Sequence, residues 1–362
     1  MSHYEERLEQ DLGEIRESVG RVSERVQEQV RLACDALLGH DVELANRVIL
    51  GDRRINREIR ELDRLCHAFV VRHLPSAGHL RYVSSVLRID VAIERIGDYA
   101  STIARQVVQF SGPPTKKVKA DTAILGQSAR HTLTDALRAF NEGDSELARE
   151  TFGHAEKTDH TFQKAVQDLV RAGEREKRPL VDILGMVQVL NLLKRVGEQA
   201  ENICVETVFT VEGRTLDPKI FRIHFVDRDN ACASQIAEAY ARKAYPGSGR
   251  YSSSGLTPAR ELSPQLEAFL DRNGVDTRDL EPRLFQPLDE VSPHYHVVVG
   301  LDPEVAEAVG TPPFRTVFIQ WDLGPRPESD DERTEDRLTG IYRDIGTRVR
   351  ELMETLRGPD AD

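Results

Sequence analysis

Two groups of residues carry the chemistry that this sequence could perform. In "FVDRDNACAS" (225–234), Asp227 and Asp229 stand two apart in a short polar loop that follows an apolar strand end and opens a helix. Such a strand, loop and helix often cradles an anion on backbone amides, yet here the loop itself carries acids. The second group lies in the first half of the chain, where Glu94 and Asp98 are four apart and Asp52 and Asn56 repeat that spacing upstream. Residues four apart share one side of a helix. If the two helices pack antiparallel, four oxygen-bearing side chains converge on one hard or borderline cation, with Gly97 allowing close approach. Paired acids beside a core stripe also occur as plain solvated faces, and spacing alone leaves both readings open.

The elements that must position these residues fall into two textures. From Tyr4 to about Gly213 the chain is poor in glycine and proline, and its apolar residues recur at helical spacing. Ile89, Ile93, Ile96, Ala100, Ile103 and Val107 form one such stripe. Breaks at "GHD" (39–41), "LPSAG" (74–78), "SGPP" (111–114), "NEGD" (141–144) and "EKRP" (176–179) leave six long helical segments. These segments repeat: Asp41 aligns with Asp144 and Asn56 with Asp159 at an offset of 103, while "ERIGDYASTI" (94–103) aligns with "KRVGEQAENI" (194–203) at an offset of 100. Two tandem three-helix bundles, about 4–112 and 118–213, follow. "RTLDPK" (214–219) reads as a linker. Beyond it, strand candidates at 220–226, 250–255, 294–301 and 314–321 alternate with helical runs at 234–244, 263–273 and 336–356. That alternation predicts a parallel sheet covered by helices, so the fold class is all-α tandem bundles over 1–213 followed by an α/β domain over 220–362.

Composition bounds the function. The chain has 362 residues, more than one core usually serves, and 49 basic against 61 acidic residues give a net charge of −12. That balance argues against nucleic acid or an anionic membrane surface as partner, leaving "PPTKKVK" (113–119) as a local basic patch. Cys34, Cys66, Cys204 and Cys232 are far apart with no C-x-x-C pair, and they read as reduced thiols. No apolar run approaches the roughly 18 residues of a membrane span. A cytoplasmic protein is the expectation.

The phrases "GHDVELANRVILGDRRIN", "HLRYVSSVLRIDVAIERIGDYA" and "LLKRVGEQAENICVETVFTVEG" resemble the PhoU family of phosphate-signalling regulators, in both repeats. The resemblance implies a homodimeric, cytoplasmic regulator of phosphate uptake that contacts a phosphate transporter ATPase, a sensor histidine kinase, or both. It also implies metal clusters built on acid-x-x-x-Asp motifs, holding a divalent or iron-type metal. In the first repeat these positions are Asp52, Asn56, Glu94 and Asp98, so one acid has become an amide. In the second they are Ala155, Asp159, Lys194 and Glu198, where an alanine removes a ligand and a lysine brings a cation, leaving Asp159 and Glu198.

The second half is similar to low-molecular-weight tyrosine phosphatases and arsenate reductases, in "IHFV" with its loop and helix, "SSSGLTPARELSP", "NGVD" and "FIQWDLGPRP". Chemistry in that family needs a low-pKa cysteine, an arginine in C-x5-R, and a late Asp-Pro. Here Asp227, Ala233 and Gly324 occupy those positions, and Cys232 reads as an inert thiol. The loop Asp227, Arg228, Asp229, Asn230, Ala231, Cys232, Ala233, Ser234 is then a degenerate anion loop. Its free amides could still attract an anion, which Asp227 would repel and Arg228 would only partly favour. The expectation is a non-enzymatic regulator carrying a pseudo-phosphatase domain for binding or sensing. One rival is a magnesium-dependent phosphatase with Asp227 as nucleophile and Asp229 beside it. Another is an adaptor with no metal in either half.

Overall fold

The computed structural model describes residues 3–176, 178–214, 220–262, 264–275, 277, 280–288, 295–324 and 334–358, with the backbone alone at 154–160, 174–176 and 334. It divides into two compact units, Met1–Leu216 and Asp217–Asp362. Residues 215–219 of the expected linker, the acidic run from 328 to 333, and Pro325 lie outside the described residues.

The first unit is helical: α1 (His3–Gly39), α2 (Val42–His73), α3 (Ala77–Gln109), α4 (Lys116–Glu142), α5 (Ser145–Phe152), α6 (His154–Glu176) and α7 (Leu180–Glu212). Among the described residues seven helices stand where the punctuation predicts six. The extra break falls at Gly153, whose counterpart in the first repeat is Leu50, inside the continuous α2. Glycine gives up roughly 1 kcal/mol of helix propensity, and here it ends α5. The repeat is legible in the caps. Asp41 and Asp144 both adopt extended backbone, and each side chain accepts the amide three residues on, from Leu44 and Leu147, at 2.9 Å.

The stripe Ile89 to Val107 is buried along its whole length. Helices α1, α2 and α3 pack on one another as one bundle, and α4, α6 and α7 as a second. The two bundles stand side by side, joined where α3 packs on α7 and α1 on α4, so one continuous apolar core runs through both repeats.

The second unit alternates β1 (Phe221–Asp227), α8 (Ala233–Ala244), β2 (Gly249–Gly255), α9 (Pro264–Arg272), β3 (Val297–Gly300), α10 (Pro303–Val309), β4 (Val317–Gln320) and α11 (Thr334–Arg357). All strand pairs are parallel, in the order β2-β1-β3-β4. Alternate residues of β1 serve opposite faces. Ile223 and Phe225 join the core with α8 and α11, and Val226 joins a smaller core with Val298 and with Val305 and Val309 of α10. Trp321 packs near Phe225, their ring centroids 6.0 Å apart. The short helix α10 is absent from the sequence reading, although Pro303 in its first turn and Gly310 at its end are the residues that start and stop a helix.

Because β1 has β2 on one side and β3 on the other, the chain leaves the C-terminal end of β1 at the point where strand order reverses. Open parallel sheets bind ligands in that crevice. The Asp227 loop occupies it.

Candidate functional site

The loop after β1 is held from below and from the side. Asn230 takes a left-handed backbone (φ 50°) and is fully buried. Its amide group donates to Ser234 Oγ (2.8 Å) and Ser253 Oγ (2.9 Å), and its carbonyl oxygen accepts from Arg283 N (2.7 Å) and Gln235 Nε2 (3.1 Å). Those four bonds exhaust what an asparagine side chain can make. Ser253 in turn donates to Glu238 Oε2 at 2.6 Å, and burial raises the Glu238 acid above its ordinary range. On the other side, the amides of Leu256, Thr257 and Ala259 donate to the carbonyls of Asp227, Arg228 and Asp229. Gly255 makes that contact possible: a Cβ there would lie 2.6 Å from Asn230 N and 2.7 Å from the Asp229 carbonyl carbon.

The loop amides are not free, which corrects the expectation. Asp227, fully buried, accepts Asn230 N on Oδ1 (2.6 Å) and Ser234 N on Oδ2 (3.0 Å). Asp229 Oδ1 accepts Ala231 N (3.2 Å), and Asp302 Oδ2, at the start of α10, accepts Arg228 N (2.6 Å). Three carboxylates of the chain itself therefore satisfy four amides in and beside the cradle. Asp227 does more than repel an incoming oxyanion, since it stands in for one. Arg228 does not turn inward to favour an anion, because its guanidinium pairs with Glu304.

Ala233 and Ser234 open α8, and Cys232 is its half-buried N-cap with no side-chain cap bond. Beneath the loop, His224 is buried with Nδ1 2.7 Å from Ser252 Oγ and Nε2 2.7 Å from Ser254 Oγ, and its ring stacks on Tyr295. Burial, helped by the Arg283 charge, pushes its pKa down to about 4. It is a neutral ring bridging two strand hydroxyls. The sequence reading passes over His224, Asn230 as an organiser, and Gly255. Only the left-handed tendency of Asn and the freedom of Gly signal them in one dimension.

In the helical unit the structure brings Asp52, Asn56 and Asp98 into one neighbourhood across α2 and α3. Asn56 Nδ2 donates to Asp52 Oδ2 (3.1 Å), while Asp52 Oδ1 and Asn56 Oδ1 are buried without a hydrogen-bond partner. Burial, and next the charge of Asp98, raise the Asp52 acid. A Cβ on Gly97 would sit 3.7 Å from Asp52 Oδ1, so α3 approaches α2 closely there. Two orphaned oxygens and a neighbouring carboxylate fit a hard cation in donor type. Glu94 and Asp98 are nevertheless exposed, and among the described residues no three His, Cys, Asp or Glu side chains converge as a metal cluster.

At the matching place in the second repeat, Lys194 Nζ lies 3.5 Å from Glu198 and 5.3 Å from the Phe162 ring centroid, a fixed cation where the first repeat has Glu94. The side chains of Ala155 and Asp159 lie outside the described residues. One further acid escapes the sequence reading. Asp90 on α3 is 2% exposed, both its oxygens lack partners, and burial followed by the Asp63 charge pushes its pKa up to about 8.

Comparison with known proteins places the helical unit. The PhoU domain model matches residues 19–107 and again 122–207. The phosphate-specific transport system accessory protein PhoU homolog of Pseudomonas putida is 29% identical over 212 residues, covering 58% of this chain and 83% of that protein. The crystal structure of PhoU from Pseudomonas aeruginosa superposes with a TM-score of 0.54 at 28% identity, covering 57% of this chain and 99% of that one. The parallel-sheet unit resembles the arsenate reductase and low-molecular-weight phosphatase folds. A thioredoxin-dependent arsenate reductase from Corynebacterium glutamicum aligns at 21% identity with a TM-score of 0.31, covering 65% of this chain and 98% of that one.

Proposed function

From a helical unit that carries two PhoU domains in tandem, we propose that this chain is a regulatory accessory protein of phosphate transport whose α/β unit performs no phosphoryl or arsenate chemistry. Similarity to proteins of the phosphate-specific transport system supports the first part. The observation that carries the second is the seat of Asp227: its carboxylate takes the Asn230 and Ser234 amides that a substrate oxyanion would need. The positions that supply thiolate, guanidinium and leaving-group acid to the resembled phosphatases hold Asp227, Ala233 and Gly324. The same seat speaks against Asp227 as a magnesium-assisted nucleophile, because a nucleophile must reach its substrate and this carboxylate is fully buried with both oxygens bonded.

In this reading the protein acts by contact, with a phosphate transporter ATPase or a sensor histidine kinase as the partner and with a homodimer as the working form. Among the described residues no helix is long and apolar enough to cross a membrane. A hard divalent cation on Asp52, Asn56 and Asp98 belongs to the same proposal. Bound there, it would neutralise two carboxylates and tie α2 to α3.

The test is twofold. Purified full-length protein is assayed with p-nitrophenyl phosphate with and without magnesium, and with arsenate and a thiol reductant. It is also used as bait in extracts from phosphate-rich and phosphate-starved cells. Background turnover together with capture of the transporter ATPase or kinase supports the proposal. Turnover that Asp227→Ala abolishes would refute the inactive α/β unit, and capture of neither partner would refute the contact role.

A further inference from the structure

We propose that the seam between the two helical repeats holds a binding site for a small single-headed amphipathic anion, an apolar chain or ring ending in one carboxylate or phosphate. A cleft of about 510 Å³ opens where α1 meets α4. Its size falls within the range of small-molecule sites, and such sites favour the interfaces between packed substructures. The apolar side of the cleft is lined by half-buried Leu38 and Ala123, with Cys34, Leu37 and Leu193 buried behind them. Burial pushes the Cys34 thiol up to about 11, so it serves as a neutral packing atom. A second cleft of about 270 Å³ lies farther along the same helices, and both are lined by Arg130 and Thr134.

Charge bookkeeping along the rim selects the ligand. Arg31 is committed, since it bonds both oxygens of Glu28 (2.6 and 2.7 Å) and also Asp35 (2.6 Å). His131 sits 2.8 Å from Asp135. Arg130, half-buried between the two clefts, forms no hydrogen bond or ion pair with any described residue and only senses Glu28 and Cys34 through space. Among the described residues its guanidinium is an uncommitted fork in the cleft, suited to grip one carboxylate or phosphate head through paired N–H donors. The neighbouring acids Asp35, Asp135, Glu24 and Glu28 oppose a polyanion such as a nucleoside triphosphate. One guanidinium beside the apolar wall of Leu38 and Ala123 is what a single head and a short apolar tail require. A ligand so placed touches α1 of the first repeat and α4 of the second, so its binding favours one relative setting of the two repeats.

The experiment is calorimetric titration of the full-length protein with octanoate and with 1-octanol. Octanoate is expected to bind at one site per chain. Octanol, which has the tail without the charge, is expected to bind at least tenfold more weakly. Arg130→Gln is expected to weaken octanoate at least tenfold with an unchanged melting temperature, because Arg130 forms no hydrogen bond or ion pair with any described residue. Arg95→Gln, on another cleft of the helical unit, should leave binding unchanged. Equal affinity of Arg130→Gln and wild type, or of octanol and octanoate, would overturn the site, as would no octanoate binding at millimolar concentration.

Discussion

Asp227 Oδ2 accepts the amide of Ser234 at 3.0 Å, so the last residue of β1 supplies the anion that a helix N-terminus attracts, in place of the N-cap Cys232, whose side chain makes no cap bond. With its second bond to Asn230, Asp227 is an internal substitute for a bound oxyanion.

Asp227→Ala leaves two buried amides without an acceptor and should cost the α/β unit about 2 to 3 kcal/mol in urea unfolding. Millimolar inorganic phosphate or sulfate should recover part of that loss in the variant and none in the wild type. Equal stability of variant and wild type would show that the carboxylate is not what the amides hold.

Gly255→Ala places a methyl group against backbone, 2.6 Å from Asn230 N, where no flexible side chain can yield. A loss on the order of 2 to 4 kcal/mol is expected, with thermal unfolding of the α/β unit as the measurement. Gly13→Ala, whose Cβ meets nothing within 4 Å, is the matched control and should change little or stabilise slightly.

Asp90 makes the helical unit pH-sensitive in a definite direction. Its folded-state pKa, about 8, lies above the ordinary 3.8, so the neutral acid is the form the core accepts. The stability this provides is present at low pH and is lost as pH rises toward 8. Asp63 and Cys66 on α2 and Tyr82 on α3 are the titratable groups that interact with it. Asp90→Asn should therefore melt higher than wild type at pH 8, by an amount on the order of 2 to 5 kcal/mol, with the gap closing toward pH 5. A gap that stays constant across that range would assign the effect to packing.

Asn56→Asp restores a carboxylate beside Asp52 and Asp98. It should raise manganese affinity at least tenfold in calorimetry and, in metal-free buffer, lower the melting temperature, because a further charge then crowds an already raised Asp52. Asp52→Asn should reverse both effects. Manganese binding indifferent to either substitution would place the cation elsewhere.

Much of the helical unit is legible in one dimension because helix signals are local. The stripe from Ile89 to Val107, the paired caps at Asp41 and Asp144, and the Lys194 substitution in the second repeat each depend on residues within a few turns of one another. The break at Gly153 is equally local, yet one glycine gives no such signal when the matching helix in the first repeat runs through Leu50 and Gly51 unbroken.

The sequence by itself determined the two textures, the tandem repeat, the oxygen-rich faces of α2 and α3, and the absence of cysteine, arginine and aspartate from three positions of the second half. Types and spacings suffice for these. Only the tertiary structure decided that the repeats share one core, that Asp90 is stranded without a partner, and that Asp227 turns inward to fill the cradle it ends. The physical reason is that a buried polar group is defined by what surrounds it. Asn230 holds the loop in shape through Ser253, 23 residues away, and Arg283, 53 away, and such partners become neighbours only when the sheet has formed.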